Sequence, residues 1–136
     1  MSSADLGPIQ RLLNATRYSV QGLRHAWANE AAFRYEIYVL IVALPTAWLL
    51  GNGAVDRALL IGSALLVVVV ELINSAIEAT VDRIGKERHE LSGHAKDLAS
   101  AAVFCSILLA VTVWLVLLLD LIKSAAERVI APTFSG

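Results

Sequence analysis

The chain has 136 residues, 57% of them hydrophobic and only 17% charged, with a mean hydropathy of +0.67. A soluble domain is about a quarter charged, so the composition argues for one membrane domain over 1–136. The net charge of −1 argues against a nucleic-acid partner, and the lone Cys105 excludes an intrachain disulfide.

The first predicted element is an amphipathic helix over about 5–28. Leu6, Ile9, Leu13, Thr16, Val20, Leu23 and Trp27 recur at steps of three and four, with Arg11, Asn14, Arg17, Gln21 and Arg24 largely opposite. Such a helix suits the headgroup layer of a bilayer. Pro8 is tolerated in its first turn, and Gly22 weakens it midway. The opening segment lacks the continuous apolar core of a signal peptide, so insertion is expected through the chain's own spans.

A spanning helix needs about 20 mostly apolar residues, and three stretches meet this requirement. They are expected at about 31–50, 55–82 and 95–120. Pro45 lies in the first, where a lipid-phase helix tolerates it. Gly51-Asn52-Gly53 breaks the first span from the second. Residues 83–94 form a polar connection, and 121–136 a mixed, frayed tail.

Of the 11 Lys and Arg residues, only Arg57, Lys123 and Arg128 fall on the side of the Gly51 turn. Positive charge marks the cytoplasmic side. The N-terminus and the connection are therefore expected in the cytoplasm, with the Gly51 turn and the C-terminus outside. Trp48 and Trp114 fall toward the outer ends of their spans, as interfacial aromatics do.

The second span carries the most informative residues. After Val67 to Val70 come Glu71, Asn74, Glu78 and Asp82. At about 100° per residue they share one helix face, within a sector of roughly 80°. They cover about 16 Å of axis, with Glu71 about 10 Å deeper than Glu78. A charged side chain in mid-bilayer costs at least about 2.5–3.5 kcal/mol. The row must therefore face protein or a wet cleft, and it calls for a metal ion, a basic partner or a proton-transfer role. A hydrogen-bonded seam between helices and an ion pathway are the other readings.

Glu30 and Glu36 lie at the start of the first span beside Arg34. Both read as a solvated, charge-paired helix start; Glu30 reads alternatively as completing a cation site with Glu78, since magnesium takes one or two carboxylates with phosphate oxygens and water. The chain contains no GxxxxGK[ST] loop, no protein-kinase glycine loop and no GxSxG elbow. His89, Glu90 and His94 spell HExxxH, which spreads the imidazoles about 140° apart on a helix and argues against zinc.

The run ELINSAIEATVDRIG, followed by HELSGHAKDLASAAV and preceded by GLRHAWANEAAFRYE, resembles the signature of the prokaryotic diacylglycerol kinase family. The likeness runs from about Arg11 to Trp114. It implies an all-α integral membrane enzyme with a surface helix, three transmembrane helices and a homotrimeric bundle in the bacterial inner membrane. The implied reaction moves the γ-phosphate of MgATP to the hydroxyl of diacylglycerol, giving phosphatidic acid and ADP.

By the same resemblance, Glu71 is the catalytic base, Asn74 is the supporting polar residue that orients that base, and Glu30 and Glu78 are magnesium ligands. Nucleotide contacts fall on Arg11, Tyr18, Glu30, Glu78, Asp82, Glu87, Arg88, His89, Lys96 and Asp97. Lipid contacts fall on Arg24, Trp27, Ala32, Phe33, Arg34, Glu36, Arg57, Glu71 and Ser100. Arg88 stands where some members carry an aromatic, PTAWLLGNGAVD aligns only with a shift of about one residue, and Leu121–Gly136 has no counterpart. Undecaprenol kinase shares the E-x-x-N-S-A-x-E core, but GLRHAWANEAAFR looks closer to the diacylglycerol branch. A non-enzymatic proton- or ion-pathway subunit is the reading from a different class.

Overall fold

The computed structural model describes residues 7–85, 87 and 89–130, and the side chains up to Glu127. Four helices follow in order: α1 (Pro8–Asn29), α2 (Ala31–Leu50), α3 (Ala54–Ile84) and α4 (Glu90–Ile130). Among the described residues there is no strand. Leu6, Lys86, Arg88 and residues 131–136 lie outside them.

α1 begins with Pro8 in its first turn, where the missing N–H costs nothing. It ends at one extended residue, Glu30 (φ −104°, ψ 113°), which is also the N-cap of α2. The Glu30 N–H donates to the Ala26 carbonyl at 2.8 Å, and its own carbonyl accepts from the Arg34 N–H at 3.4 Å. Arg34 then folds back, its guanidinium donating to the Trp27 and Ala28 carbonyls at 2.9 and 3.4 Å. A cation on the last carbonyls of a helix suits the helix dipole. Trp27 meets Tyr38 edge to face at 5.9 Å across the same corner. One non-helical residue, two carbonyl contacts and one ring pair thus set the turn from α1 into α2.

Pro45 sits inside α2 without ending it. The α2–α3 turn is tight. The Gly51 N–H closes on Ala47 at 3.0 Å, and the Asn52 N–H donates to Asp56 Oδ2 at 3.1 Å. A Cβ on Gly51 would stand 2.5 Å from Arg57 Cγ and 3.0 Å from the Ala47 carbonyl. Only glycine fits there, for reasons of space and not of backbone angle.

α3 packs against both α2 and α4. Ala26, Phe33 and Val68 form a small buried cluster, with Ile37, Leu40 and Leu72 against it. Most large apolar side chains are exposed instead, among them Val39, Leu49 and Leu98. Contiguous exposure on this scale marks a surface meant for another apolar phase. α2, α3 and α4 are each long and apolar enough to cross a bilayer. The protein is an all-α, multi-pass membrane protein.

The last helix differs from expectation at both ends. It starts at Glu90, so part of the predicted polar connection is helical, and it continues through the predicted tail to Ile130. Between Leu121 and Ile130 there is neither Gly nor Pro, and Ala, Leu, Lys, Glu and Arg are strong helix formers. Local propensity carries the helix onward where no breaker stops it. His89 caps its start, its Nδ1 accepting from the Leu91 N–H at 3.2 Å.

Candidate active site

The polar row of α3 falls on one side of the helix with burial graded along it. Glu71 is buried at 5% exposure. Asn74 and Glu78 are half-buried, and Asp82 is exposed near the helix end. Asn74 Nδ2 donates to Glu78 Oε1 at 3.3 Å, one turn further on. Asn74 Oδ1 is buried without a hydrogen-bond partner.

Two other elements bring charge to this row. Glu71 lies within electrostatic reach of Glu78 and of Glu30, which comes from the α1–α2 corner. Glu36, one and a half turns into α2, lies within reach of Glu71, and its Oε2 is buried without a partner. The expected charge-paired helix start is therefore not what forms. Arg34 gives its guanidinium to the α1 carbonyls, and Glu36 is left within electrostatic reach of Glu71. From α4, Lys96 makes an ion pair with Asp82 and lies within reach of Glu78. Five carboxylates and one ammonium, from three helices and the α1–α2 corner, thus border one polar strip in an otherwise apolar bundle.

Among the described residues, no three His, Cys, Asp or Glu side chains converge tightly enough to hold a metal by themselves. Magnesium does not need such a cage; it binds through one or two carboxylates plus phosphate oxygens and water. The donor set here is all oxygen, and Asn74 Oδ1 is an open acceptor beside Glu78. The residues therefore fit a magnesium ion that arrives with a phosphate ligand.

The remaining predicted residues are distributed unevenly. Phe33 is buried against Ala26 and Val68, and Ala32 is exposed. Trp27 packs on Tyr38 at the α1–α2 corner, and Arg24 is exposed one turn earlier. Asp97 and Ser100 are exposed on α4, on either side of buried Ala99. Glu87 and His89 are exposed in the connection, and the His89 ring is engaged as a cap. Arg11 and Tyr18 are exposed on α1, about 28 and 18 Å along its axis from Glu30. Arg57 is at the far end of α3, about 21 Å from Glu71 along the axis, with its guanidinium 4.6 Å over the Trp48 ring.

Two features had no sequence signal strong enough to find them. The Asp82–Lys96 pair joins residues far apart in the chain across the connection. The capping by Arg34 required knowing that Glu30 breaks the helix.

The sequence was compared with known proteins. The family model for prokaryotic diacylglycerol kinase matches residues 17–118. The chain belongs to the prokaryotic diacylglycerol kinase family. It is 55% identical over 108 residues to "Diacylglycerol kinase" of Escherichia coli (strain K12), covering 79% of this chain and 88% of that protein. It is 48% identical over 106 residues to the Haemophilus influenzae protein of the same name, covering 78% and 90%. A Helicobacter pylori (strain ATCC 700392 / 26695) relative with that name is 41% identical over 105 residues, covering 77% and 82%. The family match takes in the whole α3 row, Glu30, Glu36 and Lys96, and stops short of the last turns of α4.

Proposed function

We propose that this protein is an ATP-dependent diacylglycerol kinase, moving the γ-phosphate of MgATP to the free hydroxyl of 1,2-diacylglycerol. The observation that carries the reading is Glu71, a carboxylate at 5% exposure inside an apolar span, flanked by carboxylates from two elements. Family membership supports it. Depth gives the residue its task, because the acceptor hydroxyl belongs to a lipid and stays near the bilayer.

Glu71 accepts the hydroxyl proton as the lipid oxygen attacks the γ-phosphorus. The bond from that phosphorus to the bridging oxygen of the β-phosphate breaks, and ADP leaves. A base in hydrogen-bond reach of the hydroxyl contributes about 10²–10⁴-fold. Glu30 and Glu78 would hold magnesium together with the phosphates, and Asn74, bonded to Glu78, would keep that carboxylate in place. The chemistry the ion would supply there is charge offset on the transferred phosphoryl group. Lys96 adds a cation at the edge of the strip.

Arg11, Tyr18, Glu87, Arg88, His89 and Asp97 border the nucleotide in this reading. Arg24, Trp27, Ala32, Phe33, Arg34, Glu36 and Ser100 border the lipid. Arg57 lies too far along α3 for the reacting hydroxyl and is left with the distal part of the lipid. The protein works as a homotrimer in the bacterial inner membrane, N-terminus and active site in the cytoplasm and C-terminus outside.

The test is phosphate transfer from labelled ATP in detergent–lipid micelles, with diacylglycerol and undecaprenol offered separately, with and without magnesium. Label in phosphatidic acid that disappears on chelation is the expected result. Label only in the polyprenol moves the protein to that substrate. No label in either lipid, from folded protein, overturns the kinase reading and favours an ion pathway.

A further inference from the structure

The α3 row ends at Asp82, one turn beyond Glu78 and two residues before the helix stops at Ile84. Its carboxylate accepts the Lys96 ammonium, which reaches across the connection from the second turn of α4. Lys96 is also within electrostatic reach of Glu78. The lysine and aspartate side chains are 38% and 64% exposed. A pair that exposed contributes little to stability, so its use lies elsewhere.

A flexible lysine stem held in one geometry loses rotamer freedom. Asp82 makes part of that restriction before any ligand arrives. An ammonium has three donors; Asp82 takes one, and two remain for phosphate oxygens. The aspartate by itself would repel a polyphosphate, and paired with Lys96 that repulsion is offset.

We infer that Asp82 is a positioning residue that holds the Lys96 ammonium beside Glu78, so that the nucleotide phosphates meet an oriented cation, and that Asp82 itself contacts neither nucleotide nor metal. The inference rests on the kinase reading above and reassigns Asp82 from nucleotide contact to support of one.

The test is a double-mutant comparison on the full chain in lipid micelles. Wild type, Asp82→Ala, Lys96→Met and the double variant are compared for MgATP binding by calorimetry, for kcat and KM with MgATP and with lipid, and for thermal unfolding. Asp82→Ala is expected to lower kcat/KM for MgATP by about tenfold, the order of one misplaced charge-assisted hydrogen bond. The lipid KM and the unfolding midpoint stay at wild-type values. In the Lys96→Met background, Asp82→Ala has no further effect, and Asp82→Glu alone recovers most of the activity.

Losses that multiply in the double variant overturn the inference, because Asp82 then touches nucleotide or metal on its own. So does an unchanged kcat/KM in Asp82→Ala, or a loss that follows a lowered unfolding midpoint. Wild-type protein that binds MgATP but phosphorylates neither lipid refutes the kinase reading instead; the binding comparison among the four proteins still decides the role of Asp82.

Discussion

At the Ala54 end of α3, most polar groups are matched within the protein. The Asn52 N–H meets Asp56, the Trp114 indole donates to the Leu60 carbonyl at 3.3 Å, and Gly51 is packed under Arg57. Arg57 Nε has no hydrogen bond, but its guanidinium covers Trp48. At the Ile84 end, carboxylates are gathered and left short of partners. Glu36 Oε2 and Asn74 Oδ1 are buried and unmatched, and Glu71 is nearly sealed from solvent. Unmatched buried polar groups are costly; the unmatched oxygens, on α2 and α3, gather around Glu71, and the one unmatched nitrogen among the described residues, Arg57 Nε, lies at the other end against the Trp48 ring. The Glu71 end is where a ligand would supply the missing partners; the other holds the hairpin shut.

The largest expected effect tests the unmatched end. Glu71→Gln should cut lipid phosphorylation by about 10²–10⁴-fold while MgATP binding persists. Wild-type turnover in that variant would remove the base from Glu71.

Glu78→Gln comes next. It should weaken the apparent magnesium affinity by at least the roughly 10–100-fold typical of losing a metal ligand's supporting partner. A magnesium titration of turnover reads this directly, and an unshifted curve would strike Glu78 from the ligand set.

The matched end should respond in stability and not in chemistry. Gly51→Ala forces a Cβ against Arg57 Cγ and the Ala47 carbonyl, an overpacking worth about 1–3 kcal/mol. Unfolding in micelles should shift accordingly, with turnover per folded molecule preserved. If the variant is as stable as wild type, the turn is looser than described.

The smallest effect belongs to Trp114→Phe. It removes one donor to the Leu60 carbonyl and should cost about 0.5–1.5 kcal/mol, with kcat within about twofold, since the contact is remote from Glu71. A collapse of turnover there would mean that the two ends of α3 are coupled.

Much of this contrast was readable along the chain. The phase of Glu71, Asn74, Glu78 and Asp82 follows from helix periodicity, and the three apolar stretches follow from length and composition. Glu36 was harder. Its neighbour Arg34 invites local pairing, and only the corner at Glu30 shows that Arg34 serves the α1 carbonyls. The extent of α4 was underestimated because charges after Asp120 resemble a polar tail, although no helix breaker is present before Pro132.

The sequence by itself determined the all-α membrane class, the shared face of the carboxylate row and the family, because hydrophobicity and periodicity are properties of single segments. Only the tertiary structure decided that Glu30 and Glu36 come to Glu71, that Lys96 answers Asp82 and that Gly51 has no room for a side chain. Those facts depend on how α2 and α4 are rotated and set against α3, and that rotation is chosen by packing between helices, which no one-dimensional pattern encodes.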